Sequence, residues 1–151
     1  MTVAGAEADR RVGNLVSLGK ILSIDNATGR AVVQVGDLQT ASIPVMQMRS
    51  GAIRMHWMPS VGEQVTVLAP SGDMARAFVM GSLPIDGNMV APDAGSPTMD
   101  LGGGTLRVIG NLYVDGDIEV TGDVVASGVS LVHHTHGGVA PGAADTAEPN
   151  Q

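Results

Sequence analysis

Of the four histidines in the chain, His133, His134 and His136 fall within four consecutive positions. Imidazole can act as a general base, a proton carrier or a metal ligand near neutral pH. No cysteine is present, so disulfides and thiolate metal sites are excluded. The residues before the histidines help to choose among these chemistries. Gly110, Gly116, Gly122 and Gly128 stand six apart, marking a hexad repeat that runs up to the histidines. In extended chain, alternate residues share a face. The even positions carry Leu106, Val108, Leu112, Val114, Ile118, Val120, Val124, Ala126, Ser130 and Val132, with the repeat glycines among them. The odd positions include Arg107, Asn111, Asp115, Asp117, Glu119, Thr121 and Asp123. Carried forward, this parity places His134 and His136 on the apolar face and leaves His133 and Thr135 on the polar one. Two imidazoles on a buried face at the end of an elongated repeat point to a metal plug at a tip.

One hexad-repeat strand cannot fold alone, because its backbone N–H and C=O groups would have no partners and it would have no core. A solenoid needs at least three coils, at about eighteen residues each if every face takes one hexad, and residues 104–136 supply fewer than two. Three chains wound about one axis supply three times the sequence and leave no exposed edge. The repeat glycines then mark corners, the even face fills the axis and the acidic odd face meets water. Val125, Val129 and Leu131 break the parity near the tip. On such an axis His134 and His136 of three chains bring six imidazoles together. Imidazole suits iron, nickel, copper and zinc, but structural zinc prefers four ligands, so six nitrogens favour an octahedral ion such as iron(II). A saturated shell leaves no position for water or substrate, which makes the site structural and not catalytic. His56, beside Trp57, reads as a packing or surface residue.

Composition points the same way. The 151 residues include 21 Gly and 8 Pro but one Trp, one Tyr and one Phe, which suits β-structure with many turns better than a large globular core. Formal net charge is −7. No Lys or Arg follows Arg107, while Asp115, Asp117, Glu119, Asp123, Asp145 and Glu148 lie beyond it. An acidic block of this kind argues against binding nucleic acid or anionic lipid through charge. The N-terminus lacks the pattern of a secretory signal, and no apolar run approaches the ~20 residues that span a bilayer, so synthesis in the cytosol is expected.

Residues 1–11 read as a polar N-terminal arm. Residues 12–86 read as a barrel. Leu15 to Ile24 form a first strand, and Asp25 to Gly29 a turn. Ala31 to Val35 return as a second strand. Leu38 to Met48 form a third, weakened at Pro44. Residues 49–60 form a loop, Val61 to Leu68 a fourth strand, and Ala75 to Leu83 a fifth. Five strands with no helix signal predict a small antiparallel barrel of the oligonucleotide/oligosaccharide-binding (OB) type. Residues 87–103 read as a linker, 104–136 as the spike with its metal-binding apex, and 137–151 as a small, acidic tail.

Together these features resemble the central spike proteins of contractile phage tails, the baseplate assembly protein V family. In the barrel the resemblance rests on Val12-Gly13 with Asp25, on Gly29 to Val35, on Trp57 to Val65, and on Ser71-Gly72-Asp73 with Val79 to Leu83. The Trp57 to Val65 run is the most specific of these. At the other end His134-Thr135-His136-Gly137-Gly138-Val139 resembles the family's apex motif. Ser42-Ile43-Pro44 departs from relatives that carry an aromatic residue before a Leu-Pro, which puts the local packing there in question.

The resemblance implies an all-β homotrimer, with an OB-type barrel at the wide end and an intertwined triple-stranded β-helix as the needle. It implies one structural iron per trimer, held by His134 and His136 of three chains. It also implies attachment to a baseplate hub protein, a place at the virion tail tip, and mechanical penetration of the host outer membrane without enzymatic activity. The spike of a phage-derived bacteriocin or of another contractile injection system is the alternative within this reading. An OB-type module binding nucleic acid or sugar would need stacking aromatics and positive charge. A metallohydrolase at His133, His134 and His136 would need an open coordination position and a general base, for which Glu119 and Glu148 are the nearest glutamates.

Overall fold

Alternating β-branched residues build the core of the N-terminal half. In the computed structural model, which describes residues 3–85, 95, 97–136 and 142, six strands form one sheet. They are β1 (Val16–Asp25), β2 (Arg30–Val35), β3 (Leu38–Gln39), β4 (Ile43–Pro44), β5 (Gln64–Leu68) and β6 (Phe78–Ser82). The order is β3-β2-β1-β5-β6, all antiparallel, with β4 also on β2. A parallel bridge between Val45 and Val79, with Met46 N donating to Val79 O at 2.8 Å, brings the far edge round to β6. Ile21, Ala31, Val33, Ile43, Val45, Val65, Val67, Ala69, Ala77 and Val79 fill the interior. This is the expected OB-type barrel.

β1 is shared by both halves of the barrel. Its first half pairs with β5 and its second with β2, and a bulge between Ile21 and Ser23 lets it bend. Gly19 sits where the strands come closest, and a Cβ there would lie 2.4 Å from Val33 Cγ1 and 2.7 Å from Gln34 O. The turn after β1 is an Asx turn: Asp25 Oδ1 accepts Ala27 N at 3.0 Å and Oδ2 accepts Thr28 Oγ1 at 2.6 Å. These bonds hold the Asp25 carboxyl below its ordinary range, the Thr28 hydroxyl contributing most. The third strand is broken into β3 and β4 at residues 40–42, ahead of Pro44, which itself lies in β4 opposite Arg30. Of Ser42-Ile43-Pro44, Ile43 is buried in the core while Ser42 and Pro44 are exposed, and the Arg30 guanidinium donates to the Ser42 carbonyl.

The Trp57 to Val65 run is the entry to β5. Gln47 Oε1 accepts Trp57 N at 2.8 Å, Pro59 is buried, and Glu63 Oε2 accepts Ser60 N at 2.7 Å. The other Glu63 oxygen accepts the Ser82 hydroxyl, which ties the turn to β6. The fourth strand therefore starts at Gln64 and not Val61, because Ser60 to Glu63 are engaged in the turn. The fifth starts at Phe78 and not Ala75, because Pro70–Gly72 and Met74–Arg76 form short 3₁₀ turns.

The polar arm takes a form the sequence reading did not anticipate, a helix α1 over Val3–Asn14. Ala4, Ala6 and Ala8 favour helix, and Glu7 pairs with Arg10 and Arg11 at 2.8 Å one turn on. Those pairs pull the Glu7 carboxyl down to about 2, Arg10 contributing most. α1 buries none of its residues, but it lies against the first 3₁₀ turn, where a Cβ on Gly72 would stand 2.1 Å from Arg11 O.

The chain divides into two units, Met1–Asp100 and Leu101–Gln151. Most of the expected linker and nearly all of the expected tail lie outside the described residues. Among those described, no residue after Val79 belongs to the buried apolar core, and no helix is long and apolar enough to cross a membrane.

Candidate metal centre

The hexad repeat approaches the histidines as extended chain with corners at its glycines. The backbone bends at Gly110, at Asp115-Gly116 and at Thr121-Gly122. Gly110 and Gly116 take φ of 131° and 134°, which L side chains rarely adopt. Between Thr105 and Val124 the chain forms no strand pairing of its own among the described residues. Its even face stays open: Leu112 is 74% exposed and Ile118 is 68% exposed.

The repeat does not continue as one strand to the histidines. Val125–Ala126 (β7) and Val129–Ser130 (β8) pair as an antiparallel hairpin around Ser127-Gly128, both at positive φ. The chain reverses there, so a parity carried straight through Gly128 does not assign faces beyond it. This accounts for Val129 and Leu131, apolar residues at odd positions that pair across the turn with the even Ala126 and Val124, and leaves Val125, before the turn, unexplained. The hairpin extends past its ladder: Leu131 N donates to Val124 O at 2.8 Å, and Val132 N to Asp123 Oδ1 at 3.1 Å.

Asp123 also accepts the Ser130 hydroxyl, and this bond, ahead of the Val132 N–H, holds its carboxyl below the ordinary range. Ser130 Oγ in turn accepts His133 N at 2.8 Å. His134 N donates to Ser130 O at 3.2 Å, closing a tight turn over Leu131 to His133. The His134 ring folds back on that turn. Its Nδ1 lies 2.9 Å from Ser130 O and 3.0 Å from Leu131 O. Carbonyl oxygens only accept, so Nδ1 carries a proton and, in the neutral ring, Nε2 holds the free lone pair.

The two residues expected to ligate are brought together. The rings of His134 and His136 meet edge to face, with centroids 5.1 Å apart. His133 engages the turn through its backbone, and His56 is an exposed residue of the barrel loop. No group of three or more His, Asp or Glu able to hold an ion occurs among the described residues. Among the described residues one chain therefore offers two imidazoles at the tip and no third side-chain donor. The pair fits an ion that takes imidazole nitrogen: a ligating histidine ordinarily gives its second N–H to a carbonyl or carboxylate, as His134 does.

The repeat's alternation hides Asp123 and Ser130, since it puts Asp123 on the acidic solvent face and Ser130 on the apolar one. The available signal was Ser127-Gly128, a turn dipeptide between two short β-branched runs, which pairs the residues flanking it.

Comparison with known proteins gives three matches. The model described as the Type VI secretion system/phage-baseplate injector OB domain matches residues 17–83, which covers the barrel from β1 to β6. The GpV Apex motif matches residues 128–150, from the hairpin turn through His134 and His136 into residues outside those described. The spike protein of Escherichia phage P2 is 39% identical over 74 residues, a match spanning 49% of this chain and 35% of that protein.

Proposed function

The chain belongs to the contractile-tail phage central spike family, and we propose that three copies assemble through residues 104–136 into a needle that pierces the host outer membrane when the tail contracts. The observation that carries this reading is the open even face of the hexad repeat. Leu106, Val108, Leu112, Val114, Ile118 and Val120 all remain substantially exposed on the single chain, beside backbone with no ladder of its own. Both needs are met when identical strands close around an axis.

The part is mechanical. Continuous inter-strand hydrogen bonds and a dry axis would give the needle stiffness, and the barrel would seat it on a hub protein of the baseplate. Its acidic surface disfavours adhesion to anionic lipid, so entry would depend on applied force. His134 and His136 of three chains would hold one iron ion, which supplies a cross-link between the chains at the tip. His134 contributes Nε2, its Nδ1–H being directed to backbone carbonyls. The matched OB model also includes the type VI secretion system, so the spike of another contractile injection system fits the same features.

Native mass spectrometry with metal analysis tests the proposal. The expected species is a trimer carrying one iron, which His134→Ala together with His136→Ala abolishes. A chain that stays monomeric at high concentration without a transition ion overturns it.

A further inference from the structure

From the hydrogen bonds behind the histidines, we infer that Asp123 and Ser130 are positioning residues that fix the His134 imidazole as its Nδ1–H tautomer and so present Nε2 outward as a ligand. The inference rests on the proposed metal site but concerns a property of the protein without metal.

The chain of contacts is short. Asp123 accepts from the Ser130 hydroxyl and from Val132 N. Ser130 Oγ, its proton given to Asp123, is left as the acceptor for His133 N at 2.8 Å. The Ser130 and Leu131 carbonyls are thereby aimed at one point, where His134 Nδ1 lies 2.9 Å and 3.0 Å from them. Without Asp123, the Ser130 hydroxyl could turn, and Val132 N would lose the carboxylate that accepts it from the other arm of the hairpin. The turn that directs the two carbonyls would then be held by the hairpin ladder alone. A free imidazole in water prefers the Nε2–H tautomer, which points a proton where the ion would sit. Outer groups that set a ligand's tautomer typically change metal affinity about 10–100-fold.

The test uses the full chain, metal-free, with ¹⁵N-labelled histidine, and reads the tautomer of each ring from its two nitrogen shifts above neutral pH. Iron(II) binding is measured separately on the same proteins. The expected wild-type result is His134 as Nδ1–H. Asp123→Ala shifts it toward Nε2–H and weakens iron(II) binding at least tenfold, while Asp123→Asn, which keeps an acceptor oxygen, restores most of both. Ser130→Ala, which keeps the carbonyl but not the hydroxyl link, falls between them. If Asp123→Ala disorders the hairpin, seen as lost protection of the Leu131 amide, Asp123→Asn and Ser130→Ala decide the matter. Wild-type His134 in the Nε2–H form, or a tautomer that none of these variants changes, overturns the inference. A wild-type protein with the Nδ1–H tautomer that binds no iron(II) overturns the metal site and leaves the positioning role of Asp123 and Ser130 standing.

Discussion

In β2 and β5 of the barrel, Val33 and Val65 are wholly buried, whereas Val114 and Ile118 of the hexad repeat are 41% and 68% exposed. Residue class and alternation are nearly the same in the two regions. The difference is closure. The barrel has turns such as Asp25 to Gly29 and the Ser60 to Glu63 entry to β5, which return the strands on one another. Up to Gly122 the repeat has corners spaced by six residues, which bend the chain without returning it; only the last, at Gly128, reverses it. Alternation states that a strand has a buried face, and the connections decide whether the same chain or another one covers it.

Separating the regions gives the largest expected effect. A chain ending at Asp100 should unfold cooperatively at a midpoint independent of protein concentration. In a fragment of residues 101–151, the amides of residues 105–123 should lack protection when dilute and gain it with concentration, because their backbone partners lie on other copies, whereas the hairpin at Val125–Ser130 pairs within the chain. Protection of residues 105–123 in a dilute, monomeric fragment would show that the repeat closes on itself and would erase the contrast.

Single substitutions in the two cores sharpen it. Val65→Ala opens a cavity in a wholly buried site and should lower barrel stability by about 2 kcal/mol. Val114→Ala should leave the barrel's denaturation midpoint unchanged and shift the concentration at which the chains assemble, since three copies lose the same methyl groups. Equal shifts of the barrel midpoint by both variants would count against independent cores.

Two glycines divide the regions by cause. Gly19→Ala meets Val33 Cγ1 and Gln34 O and should cost about 1–3 kcal/mol through overpacking of the barrel. Gly116→Ala meets no atom within 4 Å, but its φ of 134° is unsuited to an L side chain, so about 1–3 kcal/mol of backbone strain should fall on the needle. Urea titration of the barrel should report the first change and not the second.

Much of the barrel was legible because its strands are local alternations bounded by recognisable turns. Its closure through Val45 and Val79 and its helix were less so. α1 depends on Glu7 with Arg10 and Arg11 and on the close approach of Arg11 to Gly72, a tertiary contact invisible in a polar segment that buries nothing. At the tip, the pairing of His134 with His136 could be expected from their spacing. The hairpin is masked by the repeat, because Gly128 continues the six-residue spacing, and its only sequence signal is the Ser127-Gly128 turn dipeptide. Asp123 was counted with the acidic face for the same reason: its partners, Ser130 and Val132, lie across that turn.

The smallest expected effect is shared by both regions and works through acid. Asp25 in the barrel and Asp123 at the tip both have carboxyls held below their ordinary range by hydroxyl and backbone N–H donors. A depressed folded-state value means that the unfolded chain binds the proton more readily. The stabilisation is therefore complete above the unfolded value of about 4 and is lost as pH falls through the folded value. Both groups are exposed and screened by solvent, so each loss should be slight. Asp25→Ala should flatten the acid side of the barrel's urea midpoint and leave protection of the Leu131 amide unchanged, whereas Asp123→Ala should flatten the acid-side decline of that protection and spare the barrel. If one substitution flattened both profiles, the two regions would be coupled in folding, contrary to the independence on which the other comparisons depend.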